Sequence, residues 1–282
     1  MRWTPGGVSG DIEDRRGQGG IRLGGIGRRG LGIGGTLLLL VLSFVFKQDF
    51  FALLSPSENG SYADRSAPDP RSAGEETQVQ FVSFVLDDAQ RTWDKLLPES
   101  GIPYRHATLV LFRDVTQSSC GAAESATGPF YCPGDEKVYI DLGFFDELKN
   151  RFGAPGEFAQ AYVIAHELGH HIQKVLGIER KVRGLQRSNP GSRNDLSVRM
   201  ELQADCLAGV WGHSTVQRKI IDGNDVEAGL RAAAAVGDDR MQKMATGRVS
   251  PESFTHGSST QRASWFRRGL ESGAVSSCNT FQ

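Results

Sequence analysis

His166-Glu167-Leu168-Gly169-His170 lies inside an apolar stretch, Phe158 to Leu176, that has helical spacing. Residues four apart on a helix lie one turn apart on one face, so His166 and His170 can offer ring nitrogens to a single metal ion. Glu167, beside the first imidazole, can act as a base toward a water molecule that the metal acidifies. The pattern points to zinc-dependent hydrolysis, first of all of peptide bonds, with one zinc ion per chain.

A catalytic zinc site takes three protein ligands and leaves a position open. The best donor for the third is Met200-Glu201-Leu202-Gln203-Ala204-Asp205. Glu201 can bind metal directly. Asp205, one turn later, can accept the free ring N–H of a ligand histidine and fix its tautomer. Leu202, Ala204, Leu207, Ala208 and Val210 make this helix largely apolar, so its carboxylates call for a reason. His171 is the rival ligand. It sits about 100° around the helix from His170 and cannot easily share the metal; it is expected to face solvent, a polar core contact or a cleft. His106 and His213 read as ordinary, partly buried histidines. His256, in the polar run Ser253 to Arg262, is a candidate donor in the catalytic cleft.

Several elements must position these groups. Val79 to Leu97 has the apolar spacing of an amphipathic helix, ended by Pro98 and Gly101. Ala107–Phe112 and Lys137–Leu142 read as strands, and Phe144–Phe152 as a short helix or turn. Gly184–Asp195 reads as a loop, followed by helices over Leu196–Trp211, Asp225–Val236 and Asp238–Thr246. The expectation is an α+β fold in which a small N-terminal sheet precedes a mainly helical C-terminal half.

The 282 residues carry a formal net charge of -1, which gives no reason to expect nucleic acid. Gly30 to Phe46 contains no charged side chain; Arg22, Arg28 and Arg29 precede it, and Lys47, Asp49 and Glu58 follow it. The expected organisation is a disordered cytoplasmic segment at 1–29 and a transmembrane signal-anchor with its interfacial flank at 30–54. A flexible linker at 55–77 and a metallopeptidase domain at 78–282 follow. A cleaved signal peptide and a buried soluble helix are the alternatives for 30–54. The anchor reading makes the lipid bilayer a partner. It places the protein in a bacterial cytoplasmic membrane as a single-pass chain, with its catalytic domain on the periplasmic or extracytoplasmic side. The 4 cysteines of an exported domain suit two disulfides. Cys120 with Cys132 is the expected pair, leaving Cys206 with Cys278; free thiols are the alternative.

At these residues the chain looks like a zincin metallopeptidase whose third ligand is glutamate. More closely, it resembles the bacterial putative neutral zinc metallopeptidase family over nearly its full length. The likeness runs through Arg2-Trp3, Asp11–Gly17, Gly128–Pro133, Ala161–Gln173, Glu201–Cys206, Gly237–Arg240 and Phe254–Ser259. The resemblance implies a zincin-like domain, with Glu201 as third ligand and Asp205 supporting a histidine. Related membrane zincins carry a Thr-His pair followed by an arginine near the C-terminus. Thr255, His256 and Arg262 look similar, although Gly257 stands where those proteins usually have proline.

The expected reaction is direct attack by water on a peptide or protein substrate, with no covalent intermediate. Glu167 acts as general base and then as acid, and His256 or Arg262 stabilises the oxyanion. Strand Val138–Leu142 is either the edge that pairs with an extended peptide or an internal strand. The tether would confine substrates to envelope or membrane-adjacent proteins. The rival function is a zinc-containing, non-hydrolytic binding or scaffolding membrane protein, and a third is hydrolysis of another amide, such as a cell-wall peptide. An intact Glu167 argues against the rival, because structural zinc needs no general base. Oligomeric state is left open.

Overall fold

Alternation along one strand divides the core. The computed structural model describes residues 1–18, 73–125 and 128–281. Its elements begin with strand β1 (Ile12–Asp14), helix α1 (Ala73–Glu99) and strand β2 (Thr108–Phe112). A hairpin of β3 (Val115–Ser118) and β4 (Gly121–Glu124) follows, then β5 (Phe130–Cys132) and β6 (Lys137–Asp141). Successive side chains of a strand point to opposite faces. Leu109 and Leu111 of β2, with Val138 and Ile140 of β6, therefore join the main helical core. Val110, Phe112 and Tyr139 turn the other way and pack with Ala123 and Cys132.

The remaining elements are helical: α2 (Gly143–Asn150), α3 (Glu157–Val175), α4 (Ile178–Ser188), α5 (Arg193–Gln217), α6 (Gly223–Ala235), α7 (Asp238–Thr246) and α8 (Ser259–Ser272). The fold is mixed α/β, a small sheet followed by a helical C-terminal half. Strand order is β1-β2-β6-β5, with the first three parallel and β5 antiparallel to β6. Val138 and its neighbours are thus internal, and the edge strands are β1 and β5. The segment read as a loop, Gly184–Asp195, is corrected too. Its first part completes α4, a 3-10 turn spans Pro190–Ser192, and α5 begins at Arg193.

The N-terminal expectations need correction. Residues 1–18 are not a disordered leader: they share one compact unit with residues 71–282. Ile12, Glu13 and Asp14 pair with Leu109, Val110 and Leu111. The Trp3 indole donates to Glu157 at 2.9 Å. Arg16 is buried and forms ion pairs with Asp14, Glu75 and Glu76. The last two acids, read as linker, stand in the first turn of α1, where the helix dipole favours negative charge.

The transmembrane helix, and with it the single-pass anchoring, is also corrected. Among the described residues no helix is long and apolar enough to cross a membrane. Residues 30–54, on which that expectation fell, lie outside the described residues. The sheet adds a physical objection. One crossing between residues 18 and 73 would put β1 and β2 on opposite sides of a bilayer, yet they are hydrogen-bonded neighbours.

The helices that carry the site meet backbone to backbone. A Cβ on Gly269 of α8 would fall 1.9 Å from the Cys206 carbonyl oxygen on α5, and one on Gly209 would fall 2.1 Å from the Phe266 carbonyl. Only glycine permits that approach. Gly269→Ala should therefore destabilise the fold by about 1–3 kcal/mol, the usual cost of overpacking. Denaturant unfolding measures it, and an unchanged midpoint would contradict this packing. The disulfides Cys120–Cys132 and Cys206–Cys278 are both formed, as paired in the sequence reading. The second ties α5 to the C-terminal segment.

Candidate metal centre

Helix α3 is buried almost all round, which is why its sequence is apolar on every face. Its interior polar residues must then find partners. Gly169, inside the motif, lets α5 approach: a Cβ there would lie 2.9 Å from the Ala204 carbonyl oxygen. That contact brings Glu201, less than one turn before Ala204, onto the histidine face of α3. His166 Nε2 lies 3.2 Å from Glu201 Oε2, and His170 Nε2 lies 3.4 Å from Glu201 Oε1. One ligand atom from each of the three residues falls within 4.8 Å of the others.

The far sides of both imidazoles are occupied. His166 Nδ1 meets Asp205 Oδ1 at 2.8 Å, and His170 Nδ1 meets Gln173 Oε1 at 2.8 Å. Each acceptor holds a proton on Nδ1, so Nε2 is the nitrogen turned to Glu201 and the one that can give up its proton to a metal. Burial pushes the Glu201 carboxyl up, but the His170 and His166 imidazoles outweigh it and hold it well below the ordinary carboxylate range. Two imidazoles that give up their Nε2 protons on metal binding, with one carboxylate, form an established zinc ligand set, so the residues present fit that ion.

Asp205 is fully buried and held by several groups. Arg262 donates to it from Nε at 2.9 Å and from Nη2 at 3.0 Å, and the Tyr162 hydroxyl donates as well. Arg262 also donates to the Val236 carbonyl at 3.2 Å. It lines the floor of the cleft but is only 4 % exposed, with its guanidinium turned to Asp205. Its Nη2 also lies 3.3 Å from His166 Nε2 and 4.0 Å from Glu201 Oε2, so the guanidinium reaches from Asp205 to the edge of the ligand group. α8, which carries it, starts with a capping box: Ser258 and Gln261 exchange side-chain and backbone hydrogen bonds. The Ser-x-x-Gln spacing was the available signal for this helix, which the sequence reading passed over.

His256 stands at the cleft, half-exposed, with Nδ1 at 3.1 Å from Asp238 Oδ1. That hydrogen bond raises its pKa above the ordinary histidine value. The backbone N–H groups of Thr255, His256 and Gly257 all donate to Asp238 Oδ2, at 2.7, 2.6 and 3.0 Å. Gly257 has φ +93°, which the proline ring cannot adopt. The departure from the Thr-His-Pro pattern thus has a conformational reason.

The other histidines serve structure. His171 is fully buried; its Nε2 donates to the Arg105 carbonyl at 2.8 Å, and its Nδ1 accepts from the Tyr131 hydroxyl at 3.0 Å. It is the polar core contact among the expected choices, and it anchors edge strand β5 to α3. His106 bridges Asp11 and Asp94, while His213 meets the Leu270 carbonyl. Glu201→Ala should consequently strip zinc from the protein, while His171→Ala should keep it at one ion per chain. Metal analysis after gel filtration decides this, and the reverse outcome would replace the ligand set.

The three residues open onto a cleft of about 570 Å³. Gly128, Pro129, Phe130 and Tyr131 form one wall, with Phe144, Phe152, Val163 and Met241 adding apolar surface. Glu179, Arg183 and Gln186 of α4 supply a polar side, and Glu167 faces the same space.

Comparison with known proteins agrees with this centre. The sequence profile described as "Putative neutral zinc metallopeptidase" matches residues 1–281. A relative called "Uncharacterized protein YpfJ" from Escherichia coli K12 is 47% identical over 286 aligned positions, covering 100% of this chain and 99% of its own length. "Uncharacterized protein Rv2575" from Mycobacterium tuberculosis is 43% identical over 202 positions, covering 67% of this chain and 66% of its own. No solved structure matches the chain.

Proposed function

We propose, for a chain that belongs to the putative neutral zinc metallopeptidase family, that it is a zinc-dependent endopeptidase. The observation that carries the reading is the convergence of His166, His170 and Glu201 at the base of an open cleft that Glu167 also faces. When bound there, zinc supplies Lewis acidity, which acidifies water and polarises a peptide carbonyl.

The protein's own groups do the rest. Glu167 takes a proton from the attacking water and later delivers it to the departing amide nitrogen. His256, steadied by Asp238, donates a hydrogen bond to the oxygen on which negative charge develops. Asp205, paired with Arg262, keeps His166 in place. Edge strand β5 offers unpaired backbone groups to an extended peptide, a mode that reads main chain before side chains. Polypeptides with an accessible extended segment are therefore the substrate class.

The test is cleavage of a mixed peptide library by the zinc-loaded full chain, read by mass spectrometry of new termini. Internal cuts that vanish on chelation are expected. A stoichiometric zinc protein that cuts no peptide would favour the non-hydrolytic reading.

A further inference from the structure

Two buried amides lie behind His170 and play no part in the reaction. Gln173 is fully buried and Gln203 nearly so. Gln173 Nε2 lies 2.7 Å from the Met200 carbonyl oxygen and 3.2 Å from Gln203 Oε1. Gln203 Nε2 lies 2.8 Å from the Cys278 carbonyl oxygen. A backbone carbonyl can only accept, so these two oxygens settle which end of each amide is nitrogen. Gln203 must turn its NH₂ to Cys278 and its oxygen to Gln173. Gln173 must turn its NH₂ to Met200 and Gln203, and its oxygen to His170.

The donation therefore runs one way, from His170 Nδ1–H to Gln173, from Gln173 to Gln203, and from Gln203 to Cys278. Reversing any member would set oxygen against oxygen at a backbone carbonyl. Cys278 is tied covalently to Cys206 on α5, the helix that also carries Gln203 and Glu201. Its neighbour Thr280 is strapped to the same helix, donating to the Arg199 carbonyl at 2.7 Å. The end of the relay is thus fixed in place.

We propose that Gln173 and Gln203 are positioning residues that hold His170 as the Nδ1–H tautomer, with its Nε2 lone pair presented to the metal, and that the disulfide-tied Cys278 carbonyl anchors them. The proposal rests on the zinc reading above but not on peptide turnover. It also sets the two ligands apart. His166 is backed by a carboxylate paired with an arginine, whereas His170 is backed by neutral amides that add no charge to the centre.

The full chain loaded with zinc provides the test, by long-range nitrogen–proton NMR of the imidazoles and by zinc competition against a chelator. In the wild type the His170 proton should sit on Nδ1 and be protected from solvent exchange; a proton on Nε2 would overturn the relay whatever any variant does. Gln173→Met, similar in length but without the amide, should weaken zinc binding about 10–100-fold and expose that proton to exchange. Gln203→Met should act in the same direction by a smaller factor. Wild-type zinc affinity together with a protected proton in Gln173→Met would refute the role. If Gln173→Met fails to fold, the wild-type proton position and Gln203→Met decide it. A wild type that binds no zinc would sink the metal reading, and one that binds zinc with this tautomer but cuts nothing would sink only the peptidase reading.

Discussion

Glu167→Gln should bind zinc as the wild type does, keep its unfolding midpoint, and lose peptide hydrolysis by about 100- to 10,000-fold, the usual contribution of a positioned general base. Glutamine has the shape of glutamate but no useful basicity. Glu167 occupies the helical position between the ligand face and the cleft, and it is not one of the three converging groups. The substitution therefore separates chemistry from metal retention. The comparison needs matched zinc content and a single peptide substrate, with kcat/KM as the readout. Turnover within a few-fold of wild type would remove Glu167 as the base. Loss of zinc along with activity would mean that its carboxylate helps to hold the ion.

The second large effect concerns stability. Arg262→Met should cost about 3–5 kcal/mol, because it leaves the Asp205 charge buried without its main partner. For a domain of this size that is a fall in Tm on the order of 10 °C. Burial pushes the Asp205 carboxyl up, but Arg262 and His166 outweigh it and keep it ionised, with a pKa below the ordinary aspartate value. Without Arg262 the same burial works unopposed on that side. Asp205 should then take up a proton at higher pH and grip His166 less firmly. Thermal unfolding of zinc-free and zinc-loaded protein measures the effect, and a loss under about 1 kcal/mol would show that the pair is weaker than its burial implies.

The legible part of this molecule is the part with local pattern. The motif helix announces itself through spacing, and the Glu201–Asp205 pair through carboxylates on an apolar helix. Helices α1, α3, α6 and α7 follow from periodicity, and the disulfide partners from the loop between Cys120 and Cys132. What escaped notice depends on distant partners. Ile12–Asp14 has no strand pattern of its own, since three residues among many glycines become a strand only when β2 is present. Gln173 and Gln203 look unremarkable singly; their meaning comes from the Met200 and Cys278 carbonyls opposite them. Tyr162 reads as one more apolar residue of α3 until its hydroxyl reaches Asp205. Sequence order also cannot show that the Arg262 guanidinium pairs with Asp205 while it lines the cleft. The membrane reading erred differently: charge asymmetry around 30–54 was taken as topology, without knowledge that the residues before it join the sheet.

That sheet also dictates an order of events during folding. The β2–β6 ladder joins segments about 30 residues apart, whereas β1 must find a partner nearly 100 residues along the chain. Closing the longer loop costs more entropy, and a ribosome delivers β1 long before β2 exists. The first strand made is thus the last that can pair, and until then the open edge of β2 is a template for strands of other chains. A protease cut within 19–72 after folding would leave the early peptide held by non-covalent contacts alone: the β1 ladder, the Arg2 N–H on the Ile220 carbonyl, the Met1 ammonium on Asp225 and side-chain contacts. Such a nicked protein should stay together in native buffer and separate in denaturant, with the edge of β2 laid bare on release.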